Sequence, residues 1–226
     1  MVVFITFSAF CKYLCDIQNL HINVEKFLNS FHNKNQFITD LKNKITTLES
    51  VSKEFNYYKS LGEKTIGQLS DAELNWTLNE ESNSVATIVK HLSGNMLSRW
   101  TNIFNEDGEK SWRNRDQEFN NDTWDKETIL EHWNKGWDCF FNTFNQLVEK
   151  DLNTIIYIRN QGHTVQEALN RQLAHYAYHM GQLVFIGKLI KNTDWQCLSI
   201  PKGTSGDFNA SKFSKEKSKT HFTEDL

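Results

Sequence analysis

Proline occurs once in the 226 residues, at Pro201. Proline removes a backbone donor and clashes with the preceding helical turn, so a chain nearly free of it has room for long unbroken helices. Ten glycines are too few for the many tight turns of a loop-rich β-sandwich. Apolar residues make up 38% of the chain, enough to build a core, which excludes wholesale disorder. The length suits one domain, or one domain with a tail.

Hydrophobic spacing then divides the chain. From Gln36, the residues Leu41, Ile45, Leu48, Phe55, Ile66 and Leu69 recur at helical steps, with Leu61-Gly62 marking a bend. A polar break from Leu78 to Ser84 places Asn83 or Ser84 to cap a second helix. Its stripe is Val85, Ile88, Val89, Leu92, Met96, Trp100 and Ile103, and it ends near Asn105 to Gly108. Residues 108–124 have no clean period and are longer than compact bundles need. A third helix from about Asp125 carries the aromatic face Ile129, Trp133, Trp137, Phe140, Phe144 and Leu147. The segment Thr154 to Ile158, the turn-like Asn160-Gln161-Gly162 and Thr164-Val165 read as a short hairpin. The last helix opens on the capping box Thr164 to Glu167 and runs through Ile190. The fold class expected is all-α: an antiparallel four-helix bundle with an irregular connection and a short hairpin before the last helix. Residues 36–209 would form the bundle, 1–35 an N-terminal extension, and 210–226 a solvated, disordered tail.

The apolar run MVVFITFSAFC is too short to span a bilayer and lacks the basic start and small-residue cleavage site of a signal peptide. A cytoplasmic location without membrane attachment is expected. The net charge of −3 supplies no electrostatic footprint for nucleic acid. Four cysteines, Cys11, Cys15, Cys139 and Cys197, are too few and too scattered for a disulfide framework.

His175 and His179 lie four residues apart on the last helix, so both rings leave one face about one turn apart. Both fall on the border of the apolar stripe, beside Arg171, Gln172 and Gln182, where polar side chains need partners or a ligand. The second helix repeats the pattern with His91, Asn95 and Arg99. If the two helices are neighbours, His91 completes a three-histidine set with open coordination positions, the form of a catalytic metal site. The competing reading is three buried histidines satisfied by backbone, Asn95 and Gln182. His132 reads as a surface residue and His163 as a turn residue.

The chain has only five arginines, and all fall between 99 and 171: Arg99, Arg113, Arg115, Arg159 and Arg171. Arginine grips carboxylates and phosphates with a planar fork that lysine lacks. Arg99 and Arg171 share helix borders with the histidines and are candidates to hold an anionic group. Arg113 and Arg115, with Trp112, could close over a ligand or cofactor, or could tie the connection down through pairs with Asp and Glu. Arg159 reads as structural.

The stretches ESNSVATIVKHLSGNMLSRWTNIF, DGEKSWRNRDQEF, HTVQEALNRQLAHYAYHMGQLVFIGKLI and DWQCLSIPKG resemble the DinB-like superfamily of four-helix-bundle proteins. The likeness covers about residues 45–209 and points to an uncharacterised, domain-of-unknown-function branch. It implies a metal site of one histidine from the second helix and two from the last, here His91, His175 and His179, with a metal that differs among members. The cofactor expected here is a divalent ion (Zn, Ni or Fe). Relatives include thiol-dependent S-transferases and a thiol-dependent isomerase, and relatives often dimerise.

In HYAYH, Tyr176 stands where a metalloprotease helix carries its glutamate, so no general base is built into the helix. No cysteine lies in a matching motif, which favours an external low-molecular-weight thiol as cofactor. The expectation is a metal-dependent S-transferase, or related hydrolase or isomerase, acting on a small molecule. Asn95, Tyr178 and Gln182 would orient ligands or solvent, and Arg99 and Arg171 would anchor the substrate. The alternative is a non-catalytic metal-binding or stress-related bundle, closed by a fourth ligand such as His163 or Glu109. Ala174, Ala177, Gly181 and Gly187 invite close packing by an internal neighbour or a second subunit.

Overall fold

The computed structural model describes residues 46–120 and 122–225. The expectations placed on residues 1–45, including Cys11, Cys15, Leu41 and Ile45, lie outside the described residues. The described chain is mostly helical, with one small antiparallel hairpin. Its elements are α1 (Thr47–Gln68), α2 (Asp71–Leu74), α3 (Val85–Trp100), α4 (Lys126–Phe144), β1 (Ile155–Ile158), β2 (Gln161–Thr164), α5 (Val165–Lys191) and α6 (Ser205–Phe213).

Four helix starts have a local cause. Ser84, not Asn83, caps α3 by accepting the Thr87 N–H, and Asp125 caps α4 through the Thr128 N–H. Thr164 and Glu167 form a reciprocal capping box at α5, and Ser70 and Glu73 form another at α2. Helix α3 stops at Trp100, earlier than its apolar spacing suggests, because Asn102 turns to a positive φ of 49°. The hairpin turn is Arg159-Asn160, with Ile158 opposite Gln161, and not Asn160-Gln161-Gly162.

The apolar faces meet in one aromatic core. Helix α3 lies along α4, and α1 lies along α5. Phe55 of α1, Trp100 of α3, Trp133, Trp137 and Phe140 of α4 and Tyr176 of α5 are all buried. The rings of Phe55 and Phe140 stand 4.4 Å apart, and those of Trp137 and Tyr176 stand 5.5 Å apart and tilted edge to face.

Gly62 is not a bend, since α1 runs unbroken through it. It is a point of close approach: a methyl there would collide with Trp133 and lie 3.0 Å from Met180 Sδ. Gly67, in the same helix, has nothing within 4 Å of an added Cβ. Gly62→Ala is therefore expected to lower stability by about 1–2 kcal/mol, the overpacking cost exceeding the gain in helix propensity. Gly67→Ala is expected to raise it by about 0.5–1 kcal/mol. Urea unfolding of both variants checks the opposite signs.

The segment read as a solvated tail carries structure. Residues 205–213 form α6, Phe222 packs its ring 5.6 Å from that of Tyr57, and Glu224 pairs with Lys53 at 2.6 Å. Phe222 and Glu224 find their partners on α1, a long-range match that no local period signals, while Phe213 stays exposed. Among the small residues of α5, Gly187 faces Trp195 of the following segment, and Gly181 faces open space. No helix among the described residues is long and apolar enough to cross a membrane.

Candidate metal centre

Helix α3 projects His91, and α5 projects His175 and His179, into one cluster. The Nε2 atoms of His91 and His175 are 3.3 Å apart, and those of His179 and His175 are 3.1 Å apart. One nitrogen from each ring lies within 4.8 Å of the others. Tetrahedral coordination with bonds of 2.0–2.1 Å would set ligand nitrogens about 3.3 Å apart, so the donor set suits a divalent ion of that kind. Among the described residues the cluster contains no fourth His, Cys, Asp or Glu.

The far sides of two rings are fixed. His91 Nδ1 lies 2.9 Å from Glu118 Oε2, and His179 Nδ1 lies 2.7 Å from Gln182 Oε1. Each oxygen accepts an Nδ1–H, which leaves the Nε2 lone pairs of His91 and His179 aimed into the cluster. Glu118 is itself gripped by Arg113, with Nε to Oε1 at 2.7 Å and Nη2 to Oε2 at 2.9 Å. Burial pushes the Glu118 carboxyl up, but hydrogen bonds from His91 and Arg113 and the Arg113 charge outweigh it and hold it below its ordinary value. Gly94 makes room for this carboxylate, because a Cβ there would collide with Glu118 Oε1.

Glu118 is the residue that sequence reasoning missed as a partner of His91. It lies in the aperiodic connection, on a short 3-10 turn, Asp116–Phe119. Its only signal was a carboxylate among arginines in WRNRDQEF.

The imidazoles of α5 are held neutral. Burial first, then the charges of His179, His91, Arg113 and Arg99, lower His175 to about 3. Burial and the charge of His91 lower His179 to about 4, against the opposing bond to Gln182. A histidine in the unfolded chain titrates near 6.5. The metal-free native state therefore binds fewer protons than the unfolded state between those values. Its stability is complete above about pH 6.5 and falls as the pH drops toward about 4, while the depressed carboxylates add a further loss only below about pH 4.5. The melting temperature of chelator-treated protein is expected to fall between pH 6.5 and 4.5, and His179→Gln is expected to flatten that slope. An unchanged melting temperature across the window in the wild type would contradict it.

Beside the cluster lies a cavity of about 190 Å³, lined by His91, Asn95, Gln172, His175 and all five arginines. Asn95 is buried at its wall, 3.4 Å from the Tyr176 hydroxyl that donates to its Oδ1. The Trp100 indole N–H donates to the same hydroxyl at 3.2 Å. Burial drives the Tyr176 hydroxyl well above its ordinary range, so Tyr176 is a core residue and not a proton donor to the site. Arg99 is tied to the Gly108 carbonyl and to Glu109, and Arg113 is tied to Glu118. The pairing of the connection with its own carboxylates thus holds for Arg113. Arg115 lines the cavity with its guanidinium 5.0 Å from the Phe119 ring, and Arg171 reaches it from the exposed side of α5.

Two candidates lie elsewhere. Trp112 is exposed and is not part of the cavity wall. Tyr178 is 62% exposed and accepts from Gln182 Nε2 at 3.0 Å, behind His179. It lines a separate groove of about 400 Å³ with Trp76, Phe185 and Leu189, which touches none of the three histidines. His163 stands in β2 opposite Ile156 and is not a member of the cluster. Glu109 is engaged by Arg99 and Arg159.

A family described as "Protein of unknown function (DUF1572)" matches residues 43–204. No curated protein matches the chain. A crystal structure of a conserved protein from Enterococcus faecalis is similar in fold, with a TM-score of 0.51 and 18% identity, over 66% of this chain and 99% of that one.

Proposed function

The chain belongs to the DUF1572 family, and from that premise we propose that it is a metal-dependent enzyme built on a DinB-like four-helix bundle of α1, α3, α4 and α5. The reaction class is thiol-dependent S-transfer, or related hydrolysis or isomerisation, on a small molecule. The convergence of three imidazole Nε2 atoms beside an arginine-lined cavity carries this reading.

His91, His175 and His179 would hold the ion. A divalent ion there supplies a positive charge that favours the deprotonated form of a thiol or water bound at its open positions. The chain's own residues do the rest. Glu118 and Gln182 fix the tautomers of His91 and His179, and Arg113 fixes Glu118. Asn95 and Gln172 offer amides to a ligand beside the histidines, and Arg99 and Arg171 offer positive charge to it. In an S-transfer, a low-molecular-weight thiol yields its proton to solvent and its sulfur bonds to an electrophilic carbon. The displaced group leaves with the bonding pair.

The absence of a fourth His, Cys or carboxylate from the cluster, among the described residues, favours this over a closed structural site. The test is thiol consumption by zinc-, nickel- or iron-loaded protein across a panel of small thiols and an alkyl or aryl halide. Turnover above background is expected in the wild type, and a loss of about hundredfold or more in His175→Ala with an unchanged circular dichroism spectrum. Equal rates in the two proteins would overturn the reading.

A further inference from the structure

We infer that the cavity beside the histidines receives a doubly charged anion, a phosphoryl group or a pair of carboxylates, gripped by Arg115, Arg159 and Arg171. This deepens the proposed function by naming a substrate class, and it rests on that reading only for its place beside the metal ligands.

The choice of cation is the first observation. Of 25 basic residues, five are arginine and 20 are lysine (25 − 5), yet the cavity wall holds every arginine and no lysine. A wall that merely needed charge would draw on the commoner residue. One that needs a planar fork for oxyanions would not.

Charge balance is the second. Glu118 neutralises Arg113, and Glu109 lies 3.0 Å from both Arg99 and Arg159. Arg115 and Arg171 have no carboxylate partner among the described residues. Five guanidiniums thus face two carboxylates, an excess of three positive charges (5 − 2). Asp107 stands nearby, but its carboxylate accepts the backbone N–H groups of Glu109, Arg159 and Asn160. Counting it still leaves an excess of two, which a dianion matches.

Unmet hydrogen bonds are the third. Arg99 Nε and Gln172 Oε1 are buried without a partner, and both residues line the cavity. The Gln172 oxygen is an acceptor and offers nothing to an oxyanion, so the unmet donor of the wall is Arg99 Nε. A buried donor left unpaired in a small polar cavity points to a ligand that pairs it.

The hairpin supplies the fourth. Arg159 sits in the left-handed region at φ 55°, in a two-residue turn that usually carries Asn-Gly. An arginine there is strained, and the turn is held by the N–H groups of Arg159 and Asn160, each donating to Asp107 at 2.8 Å. That turn sets Arg159 in the cavity wall, with its guanidinium 3.0 Å from Glu109.

The experiment is calorimetric titration of chelator-treated full chain with inorganic phosphate, succinate and acetate. Saturable binding of phosphate or succinate at one site is expected, with acetate about tenfold weaker or more. Arg171→Gln and Arg115→Gln are each expected to weaken the dianion about tenfold or more. Lys188→Gln, an exposed lysine of α5 outside the cavity, is expected to leave it unchanged. Phosphate without succinate assigns a phosphoryl ligand, and succinate without phosphate a dicarboxylate. No saturable binding of either dianion, or undiminished binding in both arginine variants, would overturn the inference. Because the protein is metal-free, such a failure leaves the metal reading intact, and dianion binding by protein that never takes up metal would sink only the latter.

Discussion

Glu118→Ala is expected to destabilise the protein by about 3–5 kcal/mol and to weaken its hold on a divalent ion about 10- to 100-fold. The carboxylate answers two buried groups at once, His91 Nδ1 at 2.9 Å and the Arg113 guanidinium at 2.7 Å. The Arg113 side chain is 2% exposed, so removing Glu118 leaves a buried cation without its counter-ion. Glu109 does not replace it, being 3.7 Å from Arg113 and already shared by Arg99 and Arg159. Glu118→Gln is expected to recover part of the metal affinity, because the amide oxygen still accepts from His91, and little of the stability, because Arg113 remains unneutralised. Urea unfolding and metal titration of both variants check the division. A cost below about 1 kcal/mol for Glu118→Ala would be that of an exposed pair and would contradict the buried one described here.

Trp137→Ala is expected to cost about 3–5 kcal/mol. Trp137 is fully buried at the centre of the aromatic core, with ring centroids of Trp133, Phe140, Phe141 and Tyr176 between 5.5 and 5.9 Å away. Rings drawn from two helices meet there, so the vacated space has no single side chain able to fill it. The indole N–H has no hydrogen-bond partner. Trp137→Phe removes that unpaired donor along with some volume, and the two effects oppose, so its cost is expected to stay below about 1.5 kcal/mol. Thermal and urea unfolding of the pair checks this. Equal losses in the two variants would contradict it.

These effects also explain what the sequence disclosed. The helices were legible because their apolar residues repeat every three or four positions, and Ser84, Asp125 and Thr164 mark starts through a local bond to the backbone. The four-residue step from His175 to His179 placed two rings on one face, and the same stripe logic offered His91 as the third. Glu118 was not legible as their partner. It lies 27 residues from His91 in a segment without period, and only the folded connection brings it back. Tyr178 failed for the opposite reason: three residues after His175, it is near the histidines by spacing, yet its ring turns outward to an apolar groove. Gly62 reads as a helix breaker by propensity, while its position is set by the Trp133 ring against it. Arg159 owes its place in the cavity wall to a turn geometry that an Arg-Asn pair does not advertise.

The most direct test is the metal content of full-length protein purified without a histidine tag, measured by inductively coupled plasma mass spectrometry beside His91→Ala and His179→Ala. About one equivalent of zinc, nickel or iron in the wild type, lost in both variants, is the expected result. No bound metal in the wild type, and none taken up after exposure to each ion in turn, would contradict the metal centre and leave His91, His175 and His179 as three core histidines.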